Sequence, residues 1–161
     1  VDEMYQSERY HEKVSKLRCF KGIETFAAMT IQVETADFER FPSAKAYASY
    51  TGLTTGEHSS GDKNNRIGIT KQGNTVIRKT LVECAQALVK GNVYAKKSQR
   101  LKSRQKGMDV NIIAYADKAT ERLKKKYQKL IERNVPRNKA IVAIARELAC
   151  FIWGMETGNI H

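Results

Sequence analysis

The sequence predicts an all-α fold, on three observations. Only two prolines occur in 161 residues. Helix-forming residues dominate throughout. Apolar residues also recur at three- and four-residue spacing along the second half of the chain. The length fits a single domain over 1–161 with a proper buried core.

The elements follow in order. A charged helix runs from Tyr5 to about Cys19 and enters a Phe20-Lys21-Gly22-Ile23 turn. A second helix spans Glu24 to about Val33, with Phe26, Met29 and Ile31 apolar and Thr30 or Thr35 near its end. Phe41-Pro42-Ser43 stops one segment and starts another. Ser43 can accept from the free amides of a helix that reaches Tyr50, and Gly52 then ends that helix.

Residues 54–72 carry Gly56, Gly61 and Gly68, with Gly73 just beyond, and show no helical period. They read as a long loop with a short strand at 66–70, and loops of this length in compact domains are usually functional or disordered. From Asn74 to about Val89, Ile77, Leu81, Cys84, Ala85 and Leu88 form one apolar stripe, with Arg78 and Lys79 beside it. Residues 90–108 read as a basic connector carrying Lys96, Lys97, Arg100, Lys102, Arg104 and Lys106. An amphipathic helix over Val110–Arg133 follows, with Ile112, Ala116, Ala119, Leu123 and Leu130 inward. Pro136 opens the last helix, whose broad apolar face from Ala140 to Trp153 predicts the central core element.

Charge is unevenly placed. The net charge is +12, from 29 Lys and Arg against 17 Asp and Glu. Residues 1–61 hold 7 basic and 9 acidic side chains, residues 62–106 hold 12 and 2, and residues 107–161 hold 10 and 6. One central segment thus carries nearly all the excess, which points to a polyanion-binding face. No stretch approaches the roughly 20 apolar residues of a spanning helix, so no membrane partner is expected. Cys19, Cys84 and Cys150 lie far apart among apolar neighbours, and they read as core thiols of a reducing compartment, with no metal site. The chain begins Val1-Asp2-Glu3, and residues 1–16 read as the end of a preceding helix, so a longer protein is expected.

The segment from Gly52 to Arg78 is the richest in chemistry. Ser59-Ser60-Gly61 is followed by Lys63, Arg66, Lys71 and Arg78, with Asp62 as the nearby acid. A serine nucleophile needs a base or a strongly positive site, and phosphoryl transfer needs cations on the equatorial oxygens. Arg66, Lys71 and Arg78 can supply them, while Gly73 and Asn74 allow close approach at a helix N-terminus. The plainer reading makes Ser59 and Ser60 turn residues. His58 is a possible base, although a neighbour in extended chain usually points elsewhere.

Three further features have weaker signals. Leu17 and Phe20-Lys21-Gly22-Ile23, followed by Ala27-Ala28, resemble a helix-hairpin-helix, whose turn presents backbone amides to DNA phosphate. Glu24 stands where that turn has its second glycine, and its carboxylate would repel phosphate. Backbone contact at Lys21 and Gly22 therefore competes with a simple packing hairpin. Lys96 to Lys106 could track a backbone by charge, with Tyr94 and Tyr115 able to stack on bases, or could be a solvated run. Lys124-Lys125-Lys126 reads as a wet helix face.

Taken in order, these pieces resemble the C-terminal domain of the insertion-sequence-110 family of transposases, relatives of the Piv-type DNA invertases. The resemblance covers residues 14–158. It rests on the 20–23 hairpin, Phe41-Pro42-Ser43 with Tyr50-Thr51-Gly52-Leu53, Ser60-Gly61, and Gly68-Ile69-Thr70-Lys71-Gln72-Gly73-Asn74 leading to Ile77-Arg78. The run from Lys139 to Leu148, with Trp153, completes it. Lys21, Glu24 and Thr55, the last where a proline is usual, depart from the pattern.

The resemblance implies a two-part recombinase. An N-terminal RuvC-like domain, absent from this chain, would hold magnesium on acidic residues, and the C-terminal domain would supply the nucleophile. Ser60 matches that serine, with Ser59 as the fallback, and 54–72 becomes the active-site loop. Lys63, Arg66, Lys71, Gly73, Asn74 and Arg78 become phosphate contacts. No cofactor is implied for this chain itself. The implied partners are double-stranded DNA, a guide RNA and further copies of the protein, in the bacterial cytoplasm at the nucleoid. Two rivals stand beside this reading. One is a non-catalytic DNA- or RNA-binding module. The other is a structural role in which the two long C-terminal helices hold protomers together.

Overall fold

The computed structural model describes residues 8–53 and 74–160. These form seven α-helices: α1 (Glu8–Leu17), α2 (Thr25–Thr35), α3 (Ala44–Tyr50), α4 (Asn74–Leu88), α5 (Gln99–Gln105), α6 (Val110–Glu132) and α7 (Arg137–Thr157). A single 3-10 turn at Phe38–Arg40 precedes α3. Among the described residues there is no strand, so the all-α class holds. The proposed strand at 66–70 lies outside them.

Helix starts follow the local chemistry. The Ser43 hydroxyl accepts from the Ala46 amide at 3.1 Å, capping α3 as its position predicts. Ser98 accepts from the Leu101 amide at 3.1 Å and so nucleates α5 inside the stretch that reads as a connector. That short helix is a correction to the sequence reading. Its one fully apolar inward residue, Leu101, is too little for a periodic signal.

α7 is the central element. Ile141, Ile144, Leu148 and Ile152 are buried along it, and α6, α4, α3 and α1 all pack on it. The apolar face that the structural rival would spend on another protomer is therefore used within the chain. α2 packs on α1 and α4. Leu17, Phe20 and Ile23 carry the intervening turn into the same core with no exposed surface.

Gly22 sets how closely that turn approaches α4. Its φ is +91°, and a Cβ there would lie 2.6 Å from the Cys84 carbonyl oxygen and 3.0 Å from the Leu88 nitrogen. Only glycine fits both demands. Beside α7, Phe38, Phe41, Tyr47 and Tyr50 form an aromatic cluster with ring centroids 4.9–6.1 Å apart. The buried Tyr47 hydroxyl is satisfied by Thr35 Oγ1 at 2.8 Å, and the indole Nε1 of Trp153 donates to the Phe41 carbonyl at 3.2 Å.

Candidate nucleic-acid interface

The two inner ends of the described chain meet at one cleft. Gly52 and Leu53, after α3, and Thr75, Arg78 and Lys79, in the first turns of α4, line an opening of about 620 Å³ floored by Val82 and Val142. Arg78 is partly exposed and its Nη2 donates to Thr75 Oγ1 at 3.4 Å, while Lys79 is exposed. Glu83 and Gln86 complete the lining of the cleft. Ser60, Lys63, Arg66, Lys71 and Gly73 lie outside the described residues, as do Ser59 and His58. Asn74 is the first residue of α4, and there is no acid in that helix's first turn.

The hairpin is anchored in the protein. Gly22 packs against α4, and Lys21 Nζ donates to the Lys90 carbonyl at 2.5 Å, just beyond the C-terminus of that helix. Burial, aided by the neighbouring Lys124 ammonium, lowers the Lys21 pKa to about 8. Glu24 makes no cap bond on α2. Its carboxylate pairs with Arg100 Nη2 at 2.6 Å, so the charge that departs from a helix-hairpin-helix is met by α5.

The basic run of 96–106 divides into two sets. Arg104 donates from Nε to Arg18 O at 2.8 Å and from Nη2 to Phe20 O at 3.0 Å, fastening α5 to the hairpin. Lys97 pairs with Asp117 at 2.6 Å and also donates to Gln105 Oε1. Lys96, Lys102 and Lys106 are exposed. Half of the run thus holds the fold together, and these three remain available to a polyanion. The triple-lysine stretch is likewise not a uniform wet face. Lys124 is only 7% exposed and donates to the Asn92 carbonyl, Lys125 pairs with Glu121, and Lys126 pairs with Glu147.

Tyr115 is fixed by a bond to the Phe151 carbonyl at 3.0 Å, whereas Tyr94 is 83% exposed. Cys19 and Cys84 are free and buried, and burial pushes their thiols up to about 11 and about 12, far from a nucleophilic thiolate. Among the described residues no three His, Cys, Asp or Glu side chains are grouped to hold a metal ion. No helix there is long and apolar enough to cross a membrane.

A family model, Transposase IS116/IS110/IS902, matches residues 14–100. The chain belongs to this transposase family. It is similar to the y4qE protein of Sinorhizobium fredii, named as a transposase, with 38% identity over 143 residues, 88% of this chain and 36% of that protein. The transposase for insertion sequence element IS1111A of Coxiella burnetii is 28% identical over 73% of this chain and 33% of its own length. The transposase for insertion sequence element IS1533 of Leptospira borgpetersenii is 29% identical over 81% of this chain and 37% of its own length. The chain therefore spans about a third of the length of these relatives. No solved structure matches it.

Within this transposase-family domain, Lys124 is the residue that sequence reasoning misses. It follows Leu123 on the inner side of α6, but the first of three consecutive lysines gives no periodic sign that it alone turns inward. Tyr94 is visible in the sequence, yet its exposure comes from the loop geometry and not from any motif.

Proposed function

We propose that this chain is the C-terminal part of an insertion-sequence transposase that binds DNA and supplies Ser60 as the nucleophile for strand cleavage and exchange. The observation that carries the reading is the convergence of Leu53, Thr75, Arg78 and Lys79 on one cleft. The segment holding Ser60, Lys63, Arg66, Lys71 and Gly73 leaves and re-enters the fold at that cleft. Arg78 can clamp two phosphate oxygens, and the N-terminus of the 15-residue α4 adds its free amides and partial positive charge.

In this reading Ser60 Oγ attacks a backbone phosphorus. The Oγ–P bond forms, a P–O bond of the DNA breaks, and the serine proton leaves as the departing DNA oxygen gains one. Attack by a hydroxyl of another strand reverses the step and restores the serine. The cations of the segment and Arg78 stabilise the charge that builds on the equatorial oxygens. Magnesium belongs, in the same reading, to the acidic N-terminal half that the family resemblance implies. Guide RNA and further protomers are partners of that whole protein.

The test uses the full-length transposase, incubated with its element's DNA end and searched for a peptide carrying nucleotide. Ser60→Ala should abolish the adduct while DNA binding persists, and Ser59→Ala should retain it. Undiminished adduct in Ser60→Ala would sink the nucleophile assignment. A second reading, a non-catalytic DNA- or RNA-binding module, is favoured by the exposed Lys96, Lys102 and Lys106. It expects transposition to survive Ser60→Ala and nucleic-acid affinity to fall steeply with salt.

A further inference from the structure

A second cationic cleft lies between the 20–23 turn, residues 93–98 and α6, with a volume of about 450 Å³. Lys21 and Lys124 stand side by side in it. Each is anchored by one bond to a carbonyl, Lys21 on Lys90 at 2.5 Å and Lys124 on Asn92 at 3.1 Å. Gly91, at φ +87°, lies beside the Lys124 ammonium, and a Cβ there would be in ordinary contact with Lys124 Nζ at 3.9 Å. Among the described residues neither ammonium has a carboxylate partner. The two acids that line the cleft are already engaged: Asp117 with Lys97 and Gln105, and Glu121 with Lys125. An ammonium that is 7% exposed, beside a second cation and without a counter-charge, costs stability unless an anion joins it. Each anchored ammonium keeps two further N–H donors.

Tyr94, 83% exposed as a residue, lines both this cleft and the adjoining hollow formed with Tyr127 and Ile131. Its backbone amide donates to Asn92 Oδ1 at 2.7 Å, which fixes the tyrosine relative to the carbonyl that holds Lys124. Paired ammonium groups with an aromatic platform beside them are the elements that hold a phosphate and its attached base.

We propose that Lys21 and Lys124 form a phosphate site, and that Tyr94 stacks on the base of an unpaired nucleotide whose phosphate occupies it. The phosphate part stands on geometry alone, while the nucleotide part rests on the nucleic-acid reading given above. The site involves neither Ser60 nor the Arg78 cleft. Lys21, held down to about 8, loses its charge as pH rises through that value, so anion binding weakens above it. Lys96 and Lys97 are the other cations that line the cleft, and Lys97 is already paired with Asp117.

The experiment titrates the 161-residue chain, labelled with 13C at lysine Cε, with inorganic phosphate and separately with hexathymidylate. Saturable shifts of the Lys21 and Lys124 signals are expected with both ligands. Lys21→Gln should weaken phosphate binding about tenfold, the loss of one charge-assisted hydrogen bond. Tyr94→Ala, at an exposed position that leaves the core untouched, should weaken hexathymidylate about tenfold and leave inorganic phosphate unchanged. Phosphate binding without hexathymidylate binding would overturn the nucleotide part, and equal hexathymidylate affinity in Tyr94→Ala would overturn the stacking. If neither ligand moves the two lysine signals, the lysines only cap the end of α4 and the site is refuted. None of these outcomes depends on the adduct assay for Ser60.

Discussion

The side-chain amide of Gln105 donates to the carbonyl oxygen of Cys19 at 2.8 Å, joining residues 86 positions apart. The same nitrogen reaches Asp117 Oδ1 at 3.0 Å, and Gln105 Oε1 accepts from Lys97. One buried amide thereby ties α5, the hairpin and α6 together.

Gln105→Ala should destabilise the domain by about 2 kcal/mol, because the buried Cys19 carbonyl loses its donor and the partly exposed Asp117 carboxylate loses one of its own. The check is the midpoint of urea unfolding. An unchanged midpoint would mean that water replaces the amide at no cost.

Gly22→Ala and Gly107→Ala form a matched pair. Both glycines have φ above +80°, but a Cβ at Gly107 meets nothing within 4 Å, whereas one at Gly22 strikes the α4 backbone. Backbone strain alone should cost Gly107→Ala about 1 kcal/mol. Gly22→Ala adds a steric clash with main chain and should cost at least about 3 kcal/mol. Equal thermal unfolding midpoints for the two variants would contradict the close approach of the hairpin to α4.

Glu156, in the last turn of α7, gives a pH signature. Burial raises its pKa to about 7, with the Gln32 side chain, Lys16 and Lys13 pulling back and Glu12 adding to the rise. Its Oε2 is buried without a hydrogen-bond partner. The folded state therefore holds this proton more tightly than the unfolded chain, whose carboxyl titrates near 4.5. The contribution is complete below that value and is lost as pH climbs through about 7. Glu156→Gln should remove this decline and be more stable than the parent at pH 8, by about 1–3 kcal/mol. Unfolding curves at pH 5 and pH 8 decide it: parallel losses in parent and variant would reject the assignment.

Much of the scaffold was legible because it rests on period and punctuation. α4, α6 and α7 begin at Asn74, at Val110 and just after Pro136, where the apolar repeat and the proline put them. The Ser43 cap was equally plain. α5 was hidden because six of its seven residues are charged or polar and its inward contacts are polar, through Arg104 and Gln105. Charge run was equally ambiguous, since a lysine that caps a carbonyl and one that waits for an anion look alike in sequence. Lys97 and Lys96 are adjacent, yet the first pairs with Asp117 and the second faces solvent. At the candidate site, Arg78 was legible from its position in the first turns of a helix. The neighbouring contribution of Leu53 was not, because only tertiary closure brings α3 and α4 to one opening.

That closure has an evolutionary consequence. With Leu53 buried on one bank and Ile77 buried on the other, each bank of the cleft has its own anchor in the helical core. Changing the length of the chain between the two anchors costs little loop-closure entropy, so in the proposed reading that stretch can diverge among relatives while its anchors stay.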